Sequence, residues 1–322
     1  MKTIVALAFV LLIIPYASAG TIDSFGTGLN TFDIEFVPIG NPDNAADTAS
    51  DPDPPAPNPA GSVDYAYRMG KFEISEDMIT KANAEGGLGI TKDTRGADKP
   101  ATSVTWNGAA RFVNWLNTSS GSAPAYKFAL QPGEVGYSAN ANIQLWDPLD
   151  AGYNPTNLYR NSLARYFLPS AHEWYKAAYY DPTSGNYFNF PTGSDSAPTA
   201  VASGTGAGTA VYDQSFATGP ADITLAGGLS PYGTMGQGGN VWEWEESSFD
   251  LLNDSSSSAR GIRGGDWNDD SDDLRATERF NFFPHHEFNI IGFRVASIPE
   301  PSTMLMGALA TVGLLVWRRR LS

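Results

Sequence analysis

Residues 263–279 read RGGDWNDDSDDLRATER, an acidic run that opens on a pair of glycines and closes on Arg275 and Arg279. Three readings compete for it: a catalytic loop, a metal loop, or a tight turn with a solvated acidic face. Paired carboxylates do acid–base work only where their surroundings push their pKa values apart. Nothing in the sequence shows burial of Asp269, Asp270, Asp272 or Asp273, so an exposed turn is the expectation.

The surrounding chain narrows the choice. Of 322 residues, 33 are Gly and 22 Pro, and 12% are aromatic. That composition predicts a packed core built from short elements and many loops. The formal charge of −15 and a pI near 4.5 make nucleic acid and anionic lipid poor partners, because no basic stripe is present to release phosphate counterions. Cations or neutral ligands such as sugars suit such a chain better. There is no cysteine, which excludes disulfides, thiol nucleophiles, zinc–thiolate sites and thiolate–copper sites.

Both ends read as addresses. Residues 1–19 combine Lys2, an apolar run and Ala17-Ser18-Ala19, the pattern of a cleaved signal peptide. At the other end Pro299-Glu300-Pro301 precedes an uncharged stretch from Ser302 to Trp317 and then Arg318, Arg319 and Arg320. As a helix that stretch spans roughly 24 Å, short of a hydrocarbon core of about 30 Å, and the arginines would stay cytoplasmic. This tail resembles the PEP-CTERM sorting signal. The resemblance implies recognition by an exosortase, a transient inner-membrane anchor over residues 298–322, and delivery to the cell surface or extracellular matrix of a Gram-negative bacterium.

Between the ends, FDIEF (32–36) alternates as a half-buried strand and residues 65–75 read as another. The proline-rich stretch between them is expected to be an exposed loop. Residues 76–84 and 106–117 carry helical spacing, and Ser170 to Glu173 is a capping box opening a third helix that Asp181-Pro182 stops. NVWEWEES, RGIRGGDW and GFRVAS read as short strands.

Taken in order, Gly70–Ser75, Pro100–Trp106, Phe167–Trp174, Gly239–Trp244, Arg263–Gly265, Leu274-Arg275 and Gly292–Arg294 resemble the formylglycine-generating enzyme (sulfatase-modifying factor) family. The resemblance implies one α+β domain over residues 20–297, related to C-type lectin-like folds, with short helices, small antiparallel sheets and little other regular structure. Enzymes of that family oxidise a client cysteine to formylglycine with a cysteine pair that binds copper. Their cysteines fall in the stretch after Gly265, which here reads DWNDDSDD, so no copper is expected. Calcium is the more defensible cofactor: one family site corresponds to the carbonyls of Gly239 and Val241 and the carboxylates of Glu243 and Glu73, with Gly236 where a ligand side chain would stand. The alternative is an ion-pair network of Glu243 and Glu73 with Arg275, Arg279 or Arg294. A second family calcium site would match Asn186 and Tyr187.

The functional expectation is therefore an exported, non-oxidase binding or matrix module. Its ligand would be a glycan or a surface protein, contacted at Trp267, Asn268, Asp269 and Asp270 and along the loop from Asn281 to Glu287. Trp242, Trp244 and Trp267 are aromatics able to stack on sugar faces. His285 and His286, adjacent in an extended strand, would point apart and make a poor chelate. The competing reading is an enzyme, either the family's oxidase by another route or a different reaction in the same cleft.

Overall fold

A computed structural model describes residues 20–48 and 59–299. The expected signal peptide, the sorting residues Glu300, Pro301, Arg318, Arg319 and Arg320, and part of the proline-rich loop lie outside the described residues. In chain order the strands are β1 (Thr21–Phe25), β2 (Phe32–Ile39), β3 (Tyr67–Gly70), β4 (Tyr166–Phe167), β5 (Thr199–Ala200), β6 (Thr209–Ala210), β7 (Trp242–Ser248), β8 (Arg260–Arg263), β9 (Phe280–Phe282), β10 (Ile291–Gly292) and β11 (Ala296–Ser297). The helices are α1 (Glu76–Gly86), α2 (Trp106–Ser119) and α3 (Ala171–Tyr179).

The alternation of β2 is what its sequence predicts: Phe32, Ile34 and Phe36 are buried and Asp33 is exposed. It pairs with β1 and β3 in a five-stranded antiparallel sheet, order β1-β2-β3-β11-β4. Each helix opens on a hydroxyl cap that takes up an orphan backbone N–H. Ser75 accepts from Met78 N in α1, Thr105 from Gly108 N in α2, and Ser170 from Glu173 N in the capping box of α3. Gly87 ends α1 with φ +60°, the left-handed conformation that favours glycine. Helix α2 is buried on all sides from Trp106 to Asn117, so it forms the centre of the molecule rather than one of its faces.

A second sheet has order β10-β7-β8-β9. It departs from the expected antiparallel pattern because β10 runs parallel to β7, as does β5 to β6 in a separate two-stranded sheet. The main apolar core joins the five-stranded sheet, α2 and the inner residues of β7, β10 and β11.

The described domain begins and ends side by side. Arg68 on β3 donates to Thr21 Oγ1 at 2.8 Å, to Asp23 at 2.7 Å and to Ser297 Oγ at 2.9 Å. Ile298 N donates to Arg165 O at 2.9 Å.

Candidate functional site

The centre of the candidate site is β7. Its sequence alternates tryptophan and glutamate, which would leave one face wet, yet every residue from Trp242 to Ser248 is buried. Burying three carboxylates is costly unless each is paired and hydrogen-bonded. Each one is. Glu243 takes Arg294 through Nε at 2.6 Å and Nη2 at 2.5 Å, with Trp174 Nε1 at 2.7 Å. Glu245 takes Arg263 Nε at 3.0 Å and Arg279 Nε at 2.7 Å. Glu246 takes Arg160 Nε and Nη2, both at 2.7 Å, and the Tyr126 hydroxyl at 3.0 Å. Arg160 also binds Glu173.

Of the arginines expected near Glu243, the structure therefore selects Arg294. Arg279 belongs to Glu245, and Arg275 pairs with Asp272 at the surface. Glu73 stays outside these ion pairs. Asn240 Nδ2 donates to its Oε1 at 2.7 Å, and its buried Oε2 has no hydrogen-bond partner. Burial pushes its carboxyl up to about 7. Calcium takes six to eight oxygens, whereas here Arg294 already occupies both oxygens of Glu243 and Glu73 offers one free oxygen. A Cβ on Gly236 would stand 2.5 Å from Glu73 Oε1, so the carboxylate itself fills the place of a ligand side chain. As they stand, these residues fit a proton on Glu73 better than a calcium shell. Among the described residues no group of three or more His, Asp or Glu is arranged to hold a metal.

The acidic turn sits beside this core. Trp267, expected as a ligand contact, is completely buried and packs against Val211, Ala221 and Val241. Phe216 lies 5.5 Å from it and the Arg95 guanidinium covers its ring at 5.1 Å. Its faces are not open to a sugar, and it is a core residue. Trp242 and Trp244 are core residues too. Covering residues so distant in sequence leave no local signature, which is why the sequence alone places Trp267 among the ligand contacts.

The aspartates divide by depth. Asp266 is 2% exposed, Asp269 and Asp273 are half-buried, and Asn268, Asp270 and Asp272 are exposed. The expected exposed turn thus holds for Asp270 and Asp272 and is corrected for Asp269 and Asp273. Asp269 Oδ2 accepts from Asp266 N and from Trp242 Nε1, each at 2.8 Å. Burial raises Asp266 to about 7, with the neighbouring Asp269 adding to it, and raises Asp273 to about 6. Asp266 and Asp269 together can hold a proton near neutral pH. Asn268 Nδ2 donates to Gln214 O at 2.7 Å, tying the turn to the 213–216 loop.

From the turn an aromatic surface continues outward. The Trp242 ring lies 5.2 Å from Phe280, which is 42% exposed on β9, the edge strand of its sheet. Phe283, 51% exposed, lies near both His285 and His286. The two histidines occupy a turn rather than a strand, so their rings meet at 4.5 Å instead of diverging. Phe283 falls in the loop from Asn281 to Glu287 expected to contact a ligand, whereas sequence reasoning missed Phe280, one residue outside that loop.

Comparison with known proteins follows this geometry. The family of sulfatase-modifying factor enzyme 1-like domains matches residues 35–298, and the PEP-CTERM protein-sorting motif matches 297–320. No curated protein matches the chain. Among solved structures, Treponema denticola variable protein 1 is similar at 18% identity and a TM-score of 0.57, covering 86% of this chain and 99% of that one. CarF is similar at 18% identity and a TM-score of 0.54, covering 83% and 99%. PvdO from Pseudomonas aeruginosa is similar at 16% identity and a TM-score of 0.51, covering 86% and 98%. At such identities these likenesses establish the fold alone: one domain with few short helices and curled sheets.

Proposed function

Because the chain belongs to the family of sulfatase-modifying factor enzyme 1-like domains yet contains no cysteine, we propose that it is a non-oxidase binding or matrix module. The PEP-CTERM signal indicates an exported, surface-sorted bacterial protein and recognition by exosortase-type machinery. Delivery to the surface or matrix of a Gram-negative cell is part of the proposal.

The observation that carries it is the substitution of aspartates for thiols. Without a thiolate there is no soft ligand for copper and no thiol chemistry. What remains at that position is a hydrogen-bonded turn presenting Asn268, Asp269 and Asp270 near the exposed ring of Phe280, with Phe283 farther along the same chain segment. Exposed aromatics next to carboxylates suit a glycan or a surface protein. Incubation of the purified protein with copper and a peptide carrying a sulfatase cysteine motif should leave the peptide mass unchanged. Loss of mass corresponding to formylglycine would overturn the reading. Pull-down of a surface partner should weaken in F280A/F283A, and an unchanged capture would remove this surface from the proposal.

Two observations favour other readings. The paired Asp266 and Asp269, both raised by burial, suit an acid–base reaction at the same turn, for which D266N would abolish turnover of any substrate found. The free oxygen of Glu73 leaves calcium, held with Gly239, Val241 and Glu243, as the other use of this site, and it would require Arg294 to share Glu243. A melting temperature unchanged by chelator removes calcium.

A further inference from the structure

A cavity of about 580 Å³ opens along α2, between that helix and the segment from Pro124 to Trp146. We propose that it binds an acidic saccharide, a sugar ring bearing a carboxylate. This site is separate from the acidic turn and does not depend on the ligand proposed there.

Its volume falls within the range of small-molecule sites, about 300–1,000 Å³. Its walls are aromatic. Trp115 comes from α2, and Phe128 and Trp146 come from the facing segment. A Cβ on Gly86 would stand 2.6 Å from the Trp115 ring, so that glycine leaves room for the indole at the cavity wall. Trp146 is held in place: its Nε1 donates to Ala125 O at 3.0 Å, and Gln144, two residues earlier, donates its N–H to Lys127 O at 2.7 Å. The half-buried indole of Trp146 offers a flat apolar face on which the C–H face of a sugar ring rests, with the more deeply buried Trp115 behind it at the wall.

The acid part of the ligand is argued from Arg111. It lines the cavity, is 3% exposed, and among the described residues has no carboxylate partner. Nε donates to Ala139 O at 3.2 Å and Nη1 to Leu130 O at 3.1 Å, while Nη2 has no hydrogen-bond partner. The rings of Phe128 and Tyr137 cover the guanidinium at 3.9 and 4.5 Å. Both faces and two edges are therefore taken, and the remaining edge, Nη2, is buried without a hydrogen-bond partner. Of the other arginines withdrawn from water, Arg68 holds Asp23, and Arg160, Arg263, Arg279 and Arg294 each hold a glutamate. Arg260 does not, but it is fully buried between Trp106 and Tyr159. In a chain of net charge −15, a buried guanidinium left without a carboxylate beside a cavity has its missing partner in a ligand. Contact takes a side-chain adjustment at the wall, because Nη2 is covered in the free protein. Lys127 adds no free charge, since Asp147 and Asp150 already pair with it.

The test titrates the purified protein with D-glucuronate, D-glucose and acetate, read by calorimetry and by the tryptophan Nε1–H resonances. Saturable glucuronate binding is expected, about tenfold or more tighter than glucose or acetate, a difference of about 1.4 kcal/mol. W146A should weaken glucuronate about tenfold without a change in melting temperature, and R111Q should erase the preference over glucose. No saturable binding up to ~10 mM, equal affinity for glucose, or binding indifferent to W146A would each overturn the proposal. Should R111Q fail to fold, the glucuronate-to-glucose ratio and W146A decide. F280A/F283A should leave the titration unchanged, so failure here and failure at the β9 surface are told apart.

Discussion

Glu243 and Arg294 form a bidentate pair with both side chains withdrawn from water. Such a pair contributes little net stability over an apolar substitute, but breaking it leaves an uncompensated buried charge. Arg294→Met should therefore lower unfolding free energy by about 3–5 kcal/mol in a denaturant titration. Glu73 makes a prediction of the opposite kind. Below pH 4.5 its carboxyl is protonated folded or unfolded; between there and about 7 only the folded chain keeps the proton, because burial holds it. Stability thus declines as pH rises through that window, and above it the whole cost of ionising a buried group is present. Melting temperatures of Glu73→Gln should show a flatter profile across the same window, and an unchanged slope would exclude this residue as the source. Gly239 shows what backbone can enforce: at φ +80° a Cβ would meet Val211 O at 2.2 Å. Gly239→Ala should fail to reach the native state, seen as loss of the near-ultraviolet signal. At this scale the sequence leaves Glu243 between calcium and an ion pair with Arg275, Arg279 or Arg294, and does not disclose which. That choice depends on where a residue 51 positions away is carried by the fold.

Helices were legible as elements because their determinants are local. Thr105, Ser75 and Ser170 stand in the sequence directly before the runs they cap, and Ser170→Ala should cost about 1 kcal/mol by the same titration. Strands were legible only in part. β2 announces itself through alternation, but β7 misleads, because its glutamates face arginines from β8, β9's approach and the C-terminal segment instead of solvent. The two-residue strands have no signature of their own. Ala296 is a strand residue because Met69 and Phe167 lie on either side of it. The position of the acidic turn was readable from its flanking glycines and arginines. Its depth was not, since the cover over Trp267 is supplied by Arg95 and Phe216.

For the molecule as a whole, the order of motifs along the chain carried the fold where no single motif did, and the matched span of residues 35–298 agrees with it. Ligand sites were far less readable, because the cavity along α2 is assembled from segments that carry no recognisable pattern. The sorting signal, by contrast, is linear and fully legible. Replacing Pro299, Glu300 and Pro301 by alanine should leave the exported protein at its unprocessed mass in the membrane fraction, by mass spectrometry of fractionated cells; normal release would contradict recognition of the motif.

The clamp of Arg68 on Thr21, Asp23 and Ser297, with Ile298 held to Arg165, places the sorting motif directly after a strand that sits inside the five-stranded sheet. There is no leash between the folded body and the signal: Pro299 is two residues past β11. A processing enzyme reaching for that motif meets a β-sheet almost at once, with β3 and β4 gripping the last strand on both sides. Removing residues before Pro299 would mean pulling an interior strand out from between its two neighbours.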